Sequence, residues 1–126
     1  MQPRPTASEI LETIAKVLEE QIVPALSGQV QHNARVAASL VSIVERELRL
    51  SPAADATEVA SLRSVLGSDV PADASLAELR ATFAAALRSG MADDDVVAAR
   101  IWPVLMAGVT SDLAVVKPGH DTWSGD

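Results

Sequence analysis

QHNARVAASLVSIVERELRL, residues 31–50, lies within the longest run of the chain that has neither proline nor glycine. At about 100° per residue, Val30, Ala34, Ala37, Val41, Val44 and Leu48 make one apolar ridge, and Val36, Leu40, Ile43 and Leu50 a second beside it. Two adjoining ridges ask for neighbours on more than one side, so this helix is read as the centre of a helical bundle. The remaining sector carries Arg35, Ser39, Ser42, Arg46 and Arg49, a stripe of hydroxyl and guanidinium groups. Such a stripe is either a solvated face, with Glu45 and Arg49 paired four residues apart, or a docking surface whose guanidinium groups grip carboxylates or phosphates.

The segments around it follow from start and stop chemistry. Thr6 and Glu9 form a capping box that opens helix one, whose stripe of Ile10, Leu11, Ile14, Val17, Leu18 and Ile22 runs until Pro24 disturbs it, so the helix should end near 22. Ser27 and Gly28 mark a turn, and helix two then continues through Leu50. Ser51 before Pro52 reads as a cap with proline at the first helical position, giving a third helix over 52–66 that Gly67 closes. After the loop SDVPADA, Ser75 and Glu78 repeat the capping box and Gly90 supplies the stop of a fourth helix, about 76–89. Asp93, Asp94 and Asp95 place negative charge at the amino end of a fifth, reaching about Val116 and kinked at Pro103. The expected fold is all-α: an antiparallel bundle of four to five helices in a single domain, with an ordered core over 5–116 and a loose tail, 117–126.

Composition narrows the function. The net charge of −7, from 17 acids against 10 bases, repels a phosphate backbone, so nucleic acid is not expected as a partner. Zero cysteines exclude disulfides, thiolate metal sites and cysteine nucleophiles. The start MQPRPTASE lacks a signal layout and no segment reads as a membrane span, so a soluble, cytoplasmic chain is expected.

Single residues add little chemistry. Glu47 falls inside the apolar sector near the carboxyl end of its helix, where a negative charge calls for a cationic mate; Arg4, Arg80 and Arg100 are the candidates for a structural ion pair. Asn33 also points inward, but fourteen residues put it about 21 Å from Glu47. His32 has no second histidine at helical spacing, and the aspartate run lacks the alternating ligands of a calcium loop, so no metal site is expected. Trp102 lies on the apolar side of the last helix, suited to core or interface packing, and Trp123 stands in the tail. No nucleophile context, phosphate loop or paired carboxylates stand out, so neither catalytic residues nor a cofactor are expected.

The segments RPTASEILETIAKVLEEQIVPAL (4–26), ARVAASLVSIVEREL (34–48) and SDLAVVKP (111–118) resemble an uncharacterised bacterial family of short all-helical proteins, over roughly 4–118. The family pattern covers Arg4, Pro5, Thr6, Pro24, Arg35, Val36, Ala37, Arg46, Glu47 and Leu48, and departs from it at His32, Asn33 and Ser39. The resemblance implies genes beside an aminoglycoside-phosphotransferase-like kinase and an acyl-CoA dehydrogenase. It also implies the role of a small accessory subunit to a kinase acting on hydroxyacyl-CoA. On that reading Arg4, Arg35, Arg46, Arg49, Trp102 and Trp123 are the interaction candidates. Two other readings stand beside it: a self-associating bundle that holds an acyl or CoA-like ligand with Arg35 and Arg46 on its phosphates, and an enzyme with Glu47 as its acid.

Overall fold

The computed structural model describes residues 3–119, and every regular element among them is helical. α1 spans Ala7–Val17, α2 Gly28–Leu66, α3 Leu76–Arg88 and α4 Asp95–Val116. The all-α expectation holds, with four helices rather than five. The starts obey the capping chemistry: the Glu9 amide donates to the Thr6 hydroxyl at 3.2 Å and the Thr6 amide to the Glu9 carboxylate at 2.9 Å. Ser75 and Glu78 repeat this at the head of α3. Asp94 caps α4, its Oδ1 accepting from the amides of Val96 and Val97. Gly90, at φ +93°, takes the left-handed conformation that closes α3.

Two boundaries depart from the sequence reading, and each has a proline at its centre. Helix one does not stop at 22: beyond Val17 the backbone widens into a π turn over Leu18–Ile22 and then tightens into a 3₁₀ turn over Val23–Ala25. Pro24 crowds the carbonyl four residues earlier, and the wider turn, with the Val23 amide reaching back to Leu18, makes room for it. The larger departure is that helices two and three are one helix of 39 residues, about 58 Å long, with Pro52 inside it. An interior proline costs on the order of 3 kcal/mol. That cost is offset by the good helix formers Ala53, Ala54 and Ala56 just beyond it, and by tertiary contacts on both sides of the break. α4 also runs through its proline, Pro103, as one helix, and the expected kink is not confirmed.

α2 is a spine with different partners on its two halves. Along the first half lies α1, antiparallel: the Ser8 hydroxyl donates to Glu45 at 2.7 Å, and the Gln31 side-chain amide donates to the Val23 carbonyl at 3.0 Å. Across the second half lie α3 and α4, where Leu62, Leu66, Leu79, Phe83 and Ile101 form the buried core and Leu79 has no accessible surface. α4 is antiparallel to the spine, with Arg100 and Val104 beside residues 60–65 and Gly108 and Ser111 beside Ala54 and Thr57. Arg63 donates to the carbonyls of Pro71, Ala72 and Ala74 at 2.9 to 3.1 Å and fixes the α2–α3 connection. Arg80 grips Glu58 in bidentate fashion at 2.7 and 2.8 Å, joining α3 to the spine.

The first half of α2 is not wrapped as a central helix would be. Ala38 is its one fully buried residue between 28 and 50, while Val30, Val36, Leu40, Val44 and Leu48 from the two expected ridges are exposed. The accessible surface is 8756 Å² for 13.2 kDa, against about 6,400 Å² for a compact monomer of that mass. A spine roughly twice the width of a small domain, covered on one half by two helices and on the other by one, contributes to that excess.

α4 also corrects the expectation that no segment is long and apolar enough to span a membrane: by length and composition alone this helix, Asp95–Val116, is. Arg100 and Asp112 interrupt it, and its inner side packs on α2.

The stability of the fold should therefore be lodged in the second half of the spine. Leu79→Ala is expected to cost about 2–5 kcal/mol in urea unfolding, whereas Val96→Ala, at a position 74% exposed, should stay within about 0.5 kcal/mol.

Candidate functional site

The arginine stripe does not act as one surface. Arg46 turns toward the carboxyl end of α4, its Nε donating to the Val115 carbonyl at 2.7 Å, so a cation satisfies an acceptor that a helix end leaves open. Arg49 pairs with Glu45 at 2.9 Å, as its spacing predicted, and the same carboxylate oxygen accepts from Ser8 of α1. Arg35 is exposed one helical third away: eleven residues separate it from Arg46, about 16 Å, so the two do not converge on one ligand. Between α1 and α2, Glu12, Lys16, Glu19, Glu20, Ser42, Glu45, Arg46 and Arg49 line an open depression of about 300 Å³. Its acids and bases largely cancel one another, and it offers no concentrated positive charge to a phosphate.

Electrostatic perturbation follows these ties. The Arg49 hydrogen bond, and then that of Ser8, holds the Glu45 carboxyl below the ordinary glutamate value of 4.5. The Arg80 guanidinium does the same for Glu58, against a smaller opposing effect of burial. The Glu58–Arg80 pair joins α3 to the spine, whereas Glu45 pairs with Arg49 on its own helix and reaches α1 through Ser8. Arg4 also pairs locally, with Glu9 at 3.4 Å, where both side chains are largely solvated.

Glu47 departs from the reading of an inward carboxylate with a cationic mate. It is exposed and makes no ion pair among the described residues; of its candidate mates, Arg4 is with Glu9 and Arg80 with Glu58, while Arg100 lies beside Val65 on the far half of the spine. Its angular position inside the apolar sector was read correctly, but that sector faces outward here. With Val44, Leu48, Ser51, Pro52 and Asp55 it lines a shallow, mostly apolar depression of about 260 Å³. Asn33 and His32 are likewise exposed. Trp123, and the tail from residue 120 onward, lie outside the described residues.

What the structure assembles instead is apolar surface. Among the described residues eight hydrophobic residues are buried, and fourteen large ones are exposed. All but Ile22 and Val96 fall into two groups. The first belongs to the α1–α2 pair: Ile10, Ile14 and Val17 on α1, with Val30, Val36, Leu40, Val44 and Leu48 on α2. The second is a stripe on α4 at steps of three and four, Trp102, Leu105 and Val109, continued by Val116, with Trp102 60% exposed. The ridges of helices one and two are legible as a periodic pattern, but the same spacing serves a face buried within one chain and a face buried between chains. Of these exposed apolar residues, Trp102 alone is among the interaction candidates read from the sequence.

Residues 24–120 match a family model described as Domain of unknown function (DUF6285), and the chain belongs to that family. The matched region starts at Pro24, so α1 lies ahead of it, and it is shorter than the span of 4–118 expected from the resemblance. No curated protein and no solved structure matches the chain.

The two perturbed carboxylates make the fold sensitive to acid. Because folding lowers both pKa values, their contribution is present above the unfolded value of about 4.5 and is lost as pH falls from there through the lower folded values. Melting temperature should hold between pH 7 and 5 and drop below 4.5, and the Glu45→Gln, Glu58→Gln double variant should start lower at pH 7 and show a flatter acid limb.

Proposed function

We propose that this DUF6285 member is a non-catalytic accessory subunit that binds and supports a larger enzyme, with a phosphotransferase-fold kinase for hydroxyacyl-CoA-type substrates as the partner. The observation that carries the reading is the imbalance of the surface: among the described residues more large apolar side chains are exposed than are fully buried, and most are gathered into faces rather than scattered. Contiguous apolar faces on a helical chain serve association. The charged groups support the same role, since the perturbed carboxylates are engaged with arginines of neighbouring helical turns and elements and stand in no enclosed cavity. The identity of the partner comes from the resemblance carried by residues 4–26, 34–48 and 111–118.

The α4 stripe is the surface assigned to that partner. Trp102 supplies a large amphipathic anchor of the kind that dominates interface energetics, flanked by Leu105 and Val109 on the next turns. Asp112 lies along the edge of the stripe and gives it a polar margin, while Arg100 turns to the other side of the helix, beside Val65. Co-expression with the kinase encoded beside the gene should give one gel-filtration peak containing both chains and a kinase whose turnover depends on this subunit. Trp102→Ala should weaken the complex by at least tenfold without altering helicity. Two separate peaks, together with kinase turnover indifferent to this protein, would remove the reading.

A further inference from the structure

The apolar face of the α1–α2 pair is separate from the α4 stripe, and its layout says what covers it. Ser8 opposite Glu45 and Val23 beside Gln31 set the register of the two antiparallel helices, so the level of residues 13 and 14 on α1 corresponds to residues 39–40 on α2. On α1 the α2-facing residues are Ser8, Leu11, Ala15 and Leu18, and Ile10, Ile14 and Val17 lie about 100° to one side. On α2 the α1-facing residues are Gln31, Ala38 and Glu45, and Val30, Ala37, Val44 and Leu48 lie about the same angle away. Because the helices are antiparallel, both sets turn to one side of the pair. Arg46, which holds the end of α4, points to the other side, so that helix leaves the face open.

The pattern on this face is symmetric. Val30 and Leu48, Ala34 and Val44, and Ala37 and Val41 are each equidistant from position 39, while Ile10 and Val17 are equidistant from the level of residues 13 and 14. Two polar groups lie along the edge of this face away from α1, Asn33 and Glu47, each seven residues from Leu40 and so centred one residue beyond the apolar pairs. They are also complementary: the Asn33 Oδ1 accepts from Gln29 at 3.0 Å, which leaves its amide N–H groups to donate, and Glu47 is a carboxylate with no ion pair among the described residues.

We infer that the occupant is a second copy of this chain, packed face to face about a two-fold axis at the level of residues 39–40. α2 then runs antiparallel to α2 of the second copy and α1 to its α1, closing a four-helix bundle. Val30 of each copy meets Leu48 of the other, Asn33 donates to Glu47, and the turn over residues 23–27 reaches the depression formed by Val44, Leu48 and Pro52. Two helices about 30 Å long and about 10 Å apart present on the order of 600 Å² per copy. The total of roughly 1,200 Å² is what a specific interface needs. The apolar line of Val59, Leu62 and Leu66 already packed in the core continues along the same helix into this face, so pairing extends the core.

The test uses the full chain, which has no cysteine of its own. Sedimentation of the wild type is expected to give a dimer at micromolar concentration, and Ala37→Glu, at an exposed position, a monomer of 13.2 kDa with unchanged helicity. Asn33→Asp, which sets two carboxylates opposite each other, should raise the dimer dissociation constant by at least tenfold, and adding Glu47→Lys should restore it. Leu40→Cys should cross-link through a short bifunctional thiol reagent, whereas Val30→Cys, about 27 Å from its counterpart, should not. A wild-type monomer at 100 µM in roughly physiological salt, cross-linking of both variants alike, or occupation of this face by the kinase in a one-to-one complex would overturn the inference.

Discussion

The continuity of α2 through Pro52 governs everything else in the molecule. Were the chain to break there, as its Ser-Pro start signal suggests, the two shorter helices would fold back on one another and bury both apolar ridges in a compact bundle. Held as one helix, the spine is too long for three shorter partners to cover. α3 and α4 take the second half, where Leu62, Leu66, Leu79, Phe83 and Ile101 close a core, and α1 alone takes the first. Two helices side by side bury only the strip between them, which is why Ala15, Val23 and Ala38 are the buried residues of that half. The uncovered surface is thus a consequence of geometry, set by one proline that fails to stop a helix.

Polar chemistry in this fold is spent on joining helices. Glu45 gathers Ser8 from α1 and Arg49 from its own helix, Arg46 closes the end of α4, Arg63 holds the α2–α3 connection and Glu58 locks Arg80. Each joins elements that small alanine and valine side chains bring close but bind weakly, since such side chains bury little area apiece. Arginine suits the task because its fork reaches several carbonyls or both oxygens of a carboxylate at once.

How much of this was legible in the sequence depended on whether the signal was local. Capping boxes at Thr6 and Ser75, the aspartate run over 93–95 and the glycine stop at Gly90 are decided within a few residues, and each marks a helix end as read, Asp94 of the three aspartates serving as the cap. Pro52 was misread because the same Ser-Pro pair serves a helix start and a tolerated interior proline, and the choice rests on tertiary packing that no local window contains. Arg46 was grouped with a docking stripe because its partner, the Val115 carbonyl, lies 69 positions along the chain. For Glu47 the angle was right and the environment wrong: periodicity gives the face a residue occupies, and says nothing of what lies opposite.

That last distinction bears on the faces themselves. A helix buried inside its own chain and one buried against another chain carry the same three-and-four spacing, so the difference has to be sought in what interrupts the spacing. Along the core-facing half of α2 the apolar line of Val59, Leu62 and Leu66 is unbroken, whereas along the open half Asn33 and Glu47 interrupt the second ridge, that of Val36, Leu40 and Ile43, at equal distances from Leu40. A carboxylate inside an apolar stripe lowers the stability of any interface that leaves it unpaired. Retaining one there is compatible with burial only where a donor arrives at the same point. An asparagine placed at the mirror position of the same helix is a donor that arrives whenever the chain meets itself in the antiparallel sense, and it leaves Glu47 solvated when the chain stands alone.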